Sequence, residues 1–101
     1  MKKTSVTYKA GLKEDLADPV EAAAYLNAAL EDGTLDVFLM ALRDVTNASG
    51  ITRVARKSTL NRENLYRLLS EKGNPQLSSL ESLLEAMGLK LAIEVKKTAA
   101  A

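Results

Sequence analysis

The chain has 101 residues, of which 47% are hydrophobic and 27% charged, and it contains no cysteine and no histidine. This length and composition predict one globular domain. The absence of cysteine and histidine excludes disulfides, thiolate zinc sites and the Ser-His-Asp, Cys-His and HExxH catalytic centres. We therefore expect that the protein is not an enzyme and binds no metal or cofactor. An enzyme that uses only carboxylates or lysines is a distant alternative.

Targeting signals are also missing from the sequence. No apolar run approaches the ~20 residues of a membrane span. Residues 6–18 are too polar for the apolar core of a signal peptide. These observations predict a cytoplasmic protein that does not associate with membranes.

The net charge of +1 conceals an uneven distribution. Residues 1–11 carry a net +3, residues 12–36 a net −6, and residues 43–72 a net +4, while residues 73–101 are neutral overall. Such asymmetry suggests a nucleic-acid-binding face and a second surface for another partner. Uneven but ordinary solvated helix faces would give the same totals.

Two helices are predicted in the first half of the domain, after an N-terminal arm at residues 1–17. Asp18 can cap the first helix, with Pro19 at its first position and Glu21 completing a capping box, and this helix stops at Gly33. Thr34 caps the second helix, which ends before Gly50. We expect three of their side chains to pack between helices: Tyr25, Phe38 and Met40.

Three shorter helices are predicted next, over residues 52–57, 62–70 and 79–87. The middle one ends at the Lys-Gly-Asn-Pro sequence of residues 72–75. The last one opens with a capping box in residues 78–81 and ends at Gly88.

Residues 89–96 alternate between apolar and polar side chains, which predicts a strand with Leu89, Leu91, Ile93 and Val95 on one face. A lone strand needs a partner. Residues 6–8 of the same chain or the same strand of a second chain can supply it. The predicted fold is therefore an all-α, five-helix, repressor-like domain over residues 18–96 with a C-terminal β-strand that can pair across a dimer, followed by a flexible tail at residues 97–101.

Residues 51–70 have the packing pattern of a helix-turn-helix. Two short helices flank a turn at residues 58–61, and the small Ala55 lies where steeply crossing helices approach closely. The second helix would then present side chains to base edges, and its surroundings would contact phosphates. The expected base-reading residues are Arg62, Glu63, Asn64, Tyr66 and Arg67. The expected phosphate contacts are Thr52, Arg53, Lys57, Asn61, Lys72 and Asn74. The alternative is a plain corner of two helices in a bundle.

Several segments carry a family resemblance: Val-Ala-Arg at residues 54–56, Leu-Asn-Arg-Glu-Asn-Leu-Tyr-Arg-Leu-Leu at 60–69, Gly-Asn-Pro at 73–75 and Met-Gly-Leu-Lys-Leu at 87–91. With the alanine-rich residues 22–33, they resemble the Cro/CI/Xre class of helix-turn-helix repressors. More narrowly, residues 18–95 are similar to addiction-module antidote proteins, the antitoxins of toxin–antitoxin pairs. The family usually has glycine where this chain has Thr59. Either the turn takes another conformation or Thr59 bears strain of ~1–3 kcal/mol.

The resemblance implies a homodimer that binds a palindromic operator of its own operon and represses it. It also implies a partner toxin, commonly a basic ribonuclease of the RelE/HigB type, which the acidic residues 14–36 can attract. Two alternatives stay open, a stand-alone helix-turn-helix repressor without a toxin and a protein-interaction module.

Overall fold

The computed structural model describes residues 15–70 and 74–96, apart from the side chain of residue 32. The N-terminal residues 1–14, residues 71–73 with Lys72, and the tail 97–101 lie outside the described residues. Five helices are described in full: α1 (Pro19–Asp32), α2 (Leu35–Ser49), α3 (Ile51–Lys57), α4 (Arg62–Leu68) and α5 (Leu77–Ala86). The prediction of a helical domain is confirmed.

Local capping sets the start of the first two helices as the sequence predicts. Asp18 accepts a hydrogen bond from the Val20 N–H at 3.0 Å, and the Thr34 hydroxyl accepts one from the Val37 N–H at 3.2 Å. The Asp18 N–H donates to the Asp15 carbonyl at 3.0 Å. The predicted capping box is therefore wrong, because the N–H that Glu21 would bond is already used by Asp15.

Helix α5 begins two residues earlier than expected, and the predicted capping box at residues 78–81 is wrong. Gln76 is the N-cap, and its side chain makes no capping bond. The Leu80 N–H donates to the Gln76 carbonyl at 2.9 Å, which closes the first turn through the backbone. Residues 78 and 79 are thus already helical, and a capping residue must be outside the helical conformation.

The core lies around α2, which packs on α1 and α3, while α3 also packs on α4 and α5. Leu42, Val45, Leu65 and Leu83 are fully buried, at 0% exposure. Phe38 is buried as expected, but Met40 is 56% exposed and was wrongly assigned to packing. Leu16, which we expected to lie in the N-terminal arm, is buried in the core at 3% exposure.

Residues 89–96 form no strand in the described part of the chain, so that prediction is wrong for the single chain. Gly88, at φ +81°, ends α5, and the Leu89 N–H donates to the Leu84 carbonyl at 2.8 Å. Leu89 then packs on the core, but Ile93 is 100% exposed. A strand requires a neighbour for its backbone groups, and the suggested intrachain neighbour, residues 6–8, lies outside the described residues.

Truncating Leu42 tests the position of the core. We expect Leu42→Ala to lower the free energy of unfolding by about 2–5 kcal/mol, because a fully buried side chain leaves a cavity. Met40→Ala on the same helix should change it by less than about 0.5 kcal/mol. Urea unfolding followed by circular dichroism measures the free energy of unfolding of both variants. An equal decrease in the two variants would contradict this packing.

Candidate nucleic-acid interface

Helix α4 turns one side to the core and the other to solvent. Leu65 and Leu68 are its buried residues. With about 100° of rotation per residue, the positions opposite them are Glu63, Tyr66 and Arg67. Arg62 and Asn64 then occupy the two edges of the outward face. All five expected base-reading residues are exposed, so one helix brings them together on one surface.

Asn61 fixes the N-terminus of α4. Its side-chain oxygen accepts a hydrogen bond from the Asn64 N–H at 2.7 Å, which confirms the expected cap. Asn61 is exposed, and its amide N–H₂ group makes no bond to the described residues. That group is the part of Asn61 that can contact a phosphate.

Arg43 holds the opposite end of α4. Its Nε–H donates to the Leu69 carbonyl at 3.0 Å, which connects α2 to the end of α4. A cation at this point also interacts favourably with the helix dipole. Sequence reasoning missed Arg43 because the two residues are 26 positions apart and no local pattern links them.

The turn before α4 has no left-handed residue, since no non-glycine residue in the described ranges has a positive φ. Ser58 accepts a hydrogen bond from the Leu60 N–H at 3.1 Å within the turn. The Thr59 N–H donates to the Ser82 hydroxyl at 3.0 Å, and the two hydroxyls lie 2.9 Å apart. The turn has therefore taken another conformation, anchored on α5, and Thr59 is unstrained. The contact of Ser82 with this turn was also not predicted from the sequence.

The expected phosphate contacts are spread around α4. Thr52, Arg53 and Lys57 are exposed on α3. Arg53 and Lys57 border a groove of about 490 Å³ that also contains Glu85 near the end of α5. Asn74 is exposed beside Asn64 and Arg67, around a separate groove between α4 and α5. Lys72 lies outside the described residues.

Charge is separated between the two sides of the domain. Helices α3 and α4 expose five cations, Arg53, Arg56, Lys57, Arg62 and Arg67, with Glu63 as their single anion. On α1 and α2 the exposed charges are carboxylates, including Glu21, Glu31 and Asp36. In the described residues, no group of acidic side chains is arranged to hold a metal ion, and no helix is long and apolar enough to cross a membrane.

Comparison with known proteins places the chain in a family. A family model described as "Probable addiction module antidote protein" matches residues 7–95. The chain belongs to this family. Membership supports an antidote role and implies a toxin as partner.

The chain is also similar to a relative from Haemophilus influenzae strain Rd that is described as an uncharacterized protein. The two are 30% identical over 86 residues, which cover 85% of this chain and 89% of the relative. No solved structure matches the chain.

The contact between Thr59 and Ser82 can be tested by removing the Thr59 side chain. We expect Thr59→Gly to lower the free energy of unfolding by about 1–2 kcal/mol, because it removes a hydroxyl contact and adds backbone freedom to the unfolded chain. Ser82→Ala should be destabilising as well, whereas Ser78→Ala on the same helix should be nearly neutral. A Thr59→Gly protein that is more stable than wild type in thermal unfolding would show that Thr59 is strained.

Proposed function

We propose that the protein is a sequence-specific, DNA-binding antitoxin of the Cro/CI/Xre helix-turn-helix type that represses its own operon as a homodimer and neutralises a partner toxin. It acts by binding, without catalysis. The observation that carries the proposal is the outward face of α4, where five polar or aromatic side chains stand on a helix anchored at both ends. Family membership favours this function over that of a stand-alone repressor.

Each side chain on that face suits a feature of the major groove. Arg62 and Arg67 can each donate two hydrogen bonds to a guanine edge, and Glu63 can accept from a cytosine amino group. Asn64 suits adenine, and the Tyr66 ring, 55% exposed, can contact a thymine methyl group. An α-helix of this width fits the major groove but not the narrower minor groove.

Phosphate contacts would position α4 without reading sequence. We assign them to Thr52, Arg53 and Lys57 on α3, to the amide of Asn61, and to Lys72 and Asn74 after α4. The net positive charge of α3 and α4 supports this assignment, because neutralising DNA phosphates releases counterions and dominates affinity. A palindromic operator would place two such helices about one DNA turn apart.

The DNA proposal predicts different effects for base-reading and phosphate-contacting residues. Arg62→Ala and Arg67→Ala should each weaken operator binding by about 1–3 kcal/mol and leave binding to non-specific DNA nearly unchanged. Lys57→Ala is the matched control, because it also removes one positive charge. It should weaken binding to both DNAs alike and reduce the slope of log affinity against log salt concentration by about 1. Fluorescence anisotropy with operator and scrambled duplexes measures these effects.

If Arg62→Ala and Arg67→Ala bind the operator as tightly as wild type while both remain folded, α4 does not read the DNA. The protein would then be better described as a protein-interaction module.

We place the toxin on the acidic side of the domain, away from α4. Asp36 is exposed at the start of α2, and its neighbours Leu35, Val37 and Met40 are 52%, 39% and 56% exposed. Exposed apolar side chains beside carboxylates suit a basic protein partner, because the charges guide the encounter and the apolar groups supply burial. Ribonucleases of the RelE/HigB type are commonly basic proteins and would suit this surface.

Charge reversal on this side separates toxin binding from DNA binding. We expect Asp36→Lys to weaken the complex with a basic toxin encoded beside the gene by about ten-fold or more, mainly through slower association. The matched variant Glu81→Lys makes the same change in charge on α5 and should bind toxin normally. Surface plasmon resonance gives both rates, and equal association rates for the two variants would place the toxin elsewhere.

A further inference from the structure

We propose that a cleft beside the C-terminal end of α4 binds a backbone phosphate of the DNA, with Arg43 and Asn47 on α2 as its ligands. The inference rests on the proposed function, because it adds a contact to the same DNA complex. The sequence alone did not indicate either residue as a DNA contact. The cleft has a volume of about 240 Å³ and is lined by Arg43, Asn47, Ile51, Tyr66, Leu69 and Ser70.

The cleft lies on one flank of α4, next to the face that is turned outward. Tyr66 belongs both to that face and to the lining of the cleft. Asn64, about 200° from Tyr66 around the helix, borders the other groove, which contains Asn74. A helix that lies in the major groove has a sugar-phosphate strand along each of its two sides. The strand on the Tyr66 side of α4 would therefore pass the cleft.

Arg43 is already arranged to bind an anion in this cleft. Its side chain is half-buried, and its Nε–H donates to the Leu69 carbonyl at 3.0 Å. The two terminal nitrogens of the guanidinium make no bond to the described residues, so this edge of the group can bind a ligand. A guanidinium edge can donate two parallel hydrogen bonds to a phosphate. Because the side chain is held in place, it loses little rotamer freedom on binding.

The other residues of the cleft also suit a phosphate. Asn47 is exposed one turn after Arg43 on α2 and can donate through its amide N–H₂ group. None of the described residues that line the cleft is a carboxylate. Asp44, the chain neighbour of Arg43, accepts a hydrogen bond from the Tyr25 hydroxyl at 2.7 Å. The volume is below the ~300–1,000 Å³ of most pockets for small molecules, so charge and size both favour a single phosphate group.

The bond between Arg43 and Leu69 fixes this phosphate site relative to the reading side chains. Leu69 directly follows α4, and Tyr66 lies less than one turn before it. A phosphate bound by Arg43 would thus have a defined position with respect to α4. Phosphate contacts of this kind set the register and orientation of a protein on the duplex without reading a base.

A cation added to the cleft tests the proposal without removing a structural contact. The Asn47 side chain makes no bond to the described residues, so Asn47→Lys should fold normally. We expect it to strengthen binding to the upstream duplex and to a scrambled duplex alike, by about three- to ten-fold at ~150 mM salt. The slope of log affinity against log salt concentration should become steeper by about 1. Fluorescence anisotropy measures both quantities.

Asn27→Lys is the matched control for the added charge. Asn27 is exposed on α1, a helix that does not pack against α4. Charges separated by more than ~8 Å in solvent are largely screened at this salt concentration. The control should therefore change the affinity for either duplex by less than about two-fold.

Arg43→Gln separates phosphate binding from a purely structural role. Loss of a phosphate contact predicts weaker binding to both duplexes, by about five-fold or more, and a slope that is shallower by about 1. If Arg43 only supported α4, the affinity for the upstream duplex alone would fall and the slope would stay unchanged. Circular dichroism shows whether this variant is folded, and the comparison of Asn47→Lys with Asn27→Lys decides the matter if it is not.

Two results would overturn the proposal: equal effects of Asn47→Lys and Asn27→Lys, or a folded Arg43→Gln protein with the wild-type salt slope. In either case a wild-type protein that prefers its upstream duplex would leave the proposed function standing. A wild-type protein that binds neither duplex would instead contradict the proposed function, and the phosphate site with it.

Discussion

The burial of Leu65 and Leu68 is the constraint on which the candidate interface depends. These two side chains fix which side of α4 enters the core, and so which side reaches solvent. A seven-residue helix has little stability of its own, because most helical stability in proteins comes from packing of an apolar face. Asn61 at one end and Arg43 at the other then hold the ends. The exposed residues of α4 are therefore presented on a rigid support, as reading a base edge requires.

The turn before α4 is held by contacts to a neighbouring helix and contains no left-handed residue. A glycine would allow a left-handed residue there, whereas Thr59 occupies a turn with no positive φ and binds Ser82 on α5 through both its N–H and its hydroxyl. The contact also links the turn before α4 to the helix that leads into the C-terminal segment.

Local signals in the sequence were sufficient for the helices whose ends depend on neighbouring residues. Asp18, Thr34 and Asn61 cap the helices that they were expected to cap. Two local signals failed, the capping boxes expected from Glu21 and at residues 78–81. The other failures involve contacts between distant segments. The bond from Arg43 to Leu69 spans 26 positions, and the exposure of Met40 depends on how α1 and α2 pack. Residues 89–96 alternate like a strand, but alternation cannot supply the neighbouring strand that pairing requires.

Binding of the wild-type protein to DNA measures most directly whether this family member recognises a particular DNA sequence. The affinity for a duplex from upstream of its own gene should be compared with that for a scrambled duplex of equal length and base composition, between ~50 and ~200 mM salt. We expect a preference of ~10³-fold or more for the upstream duplex, with both affinities falling steeply as salt rises. Equal affinity for the two duplexes at every salt concentration would contradict it.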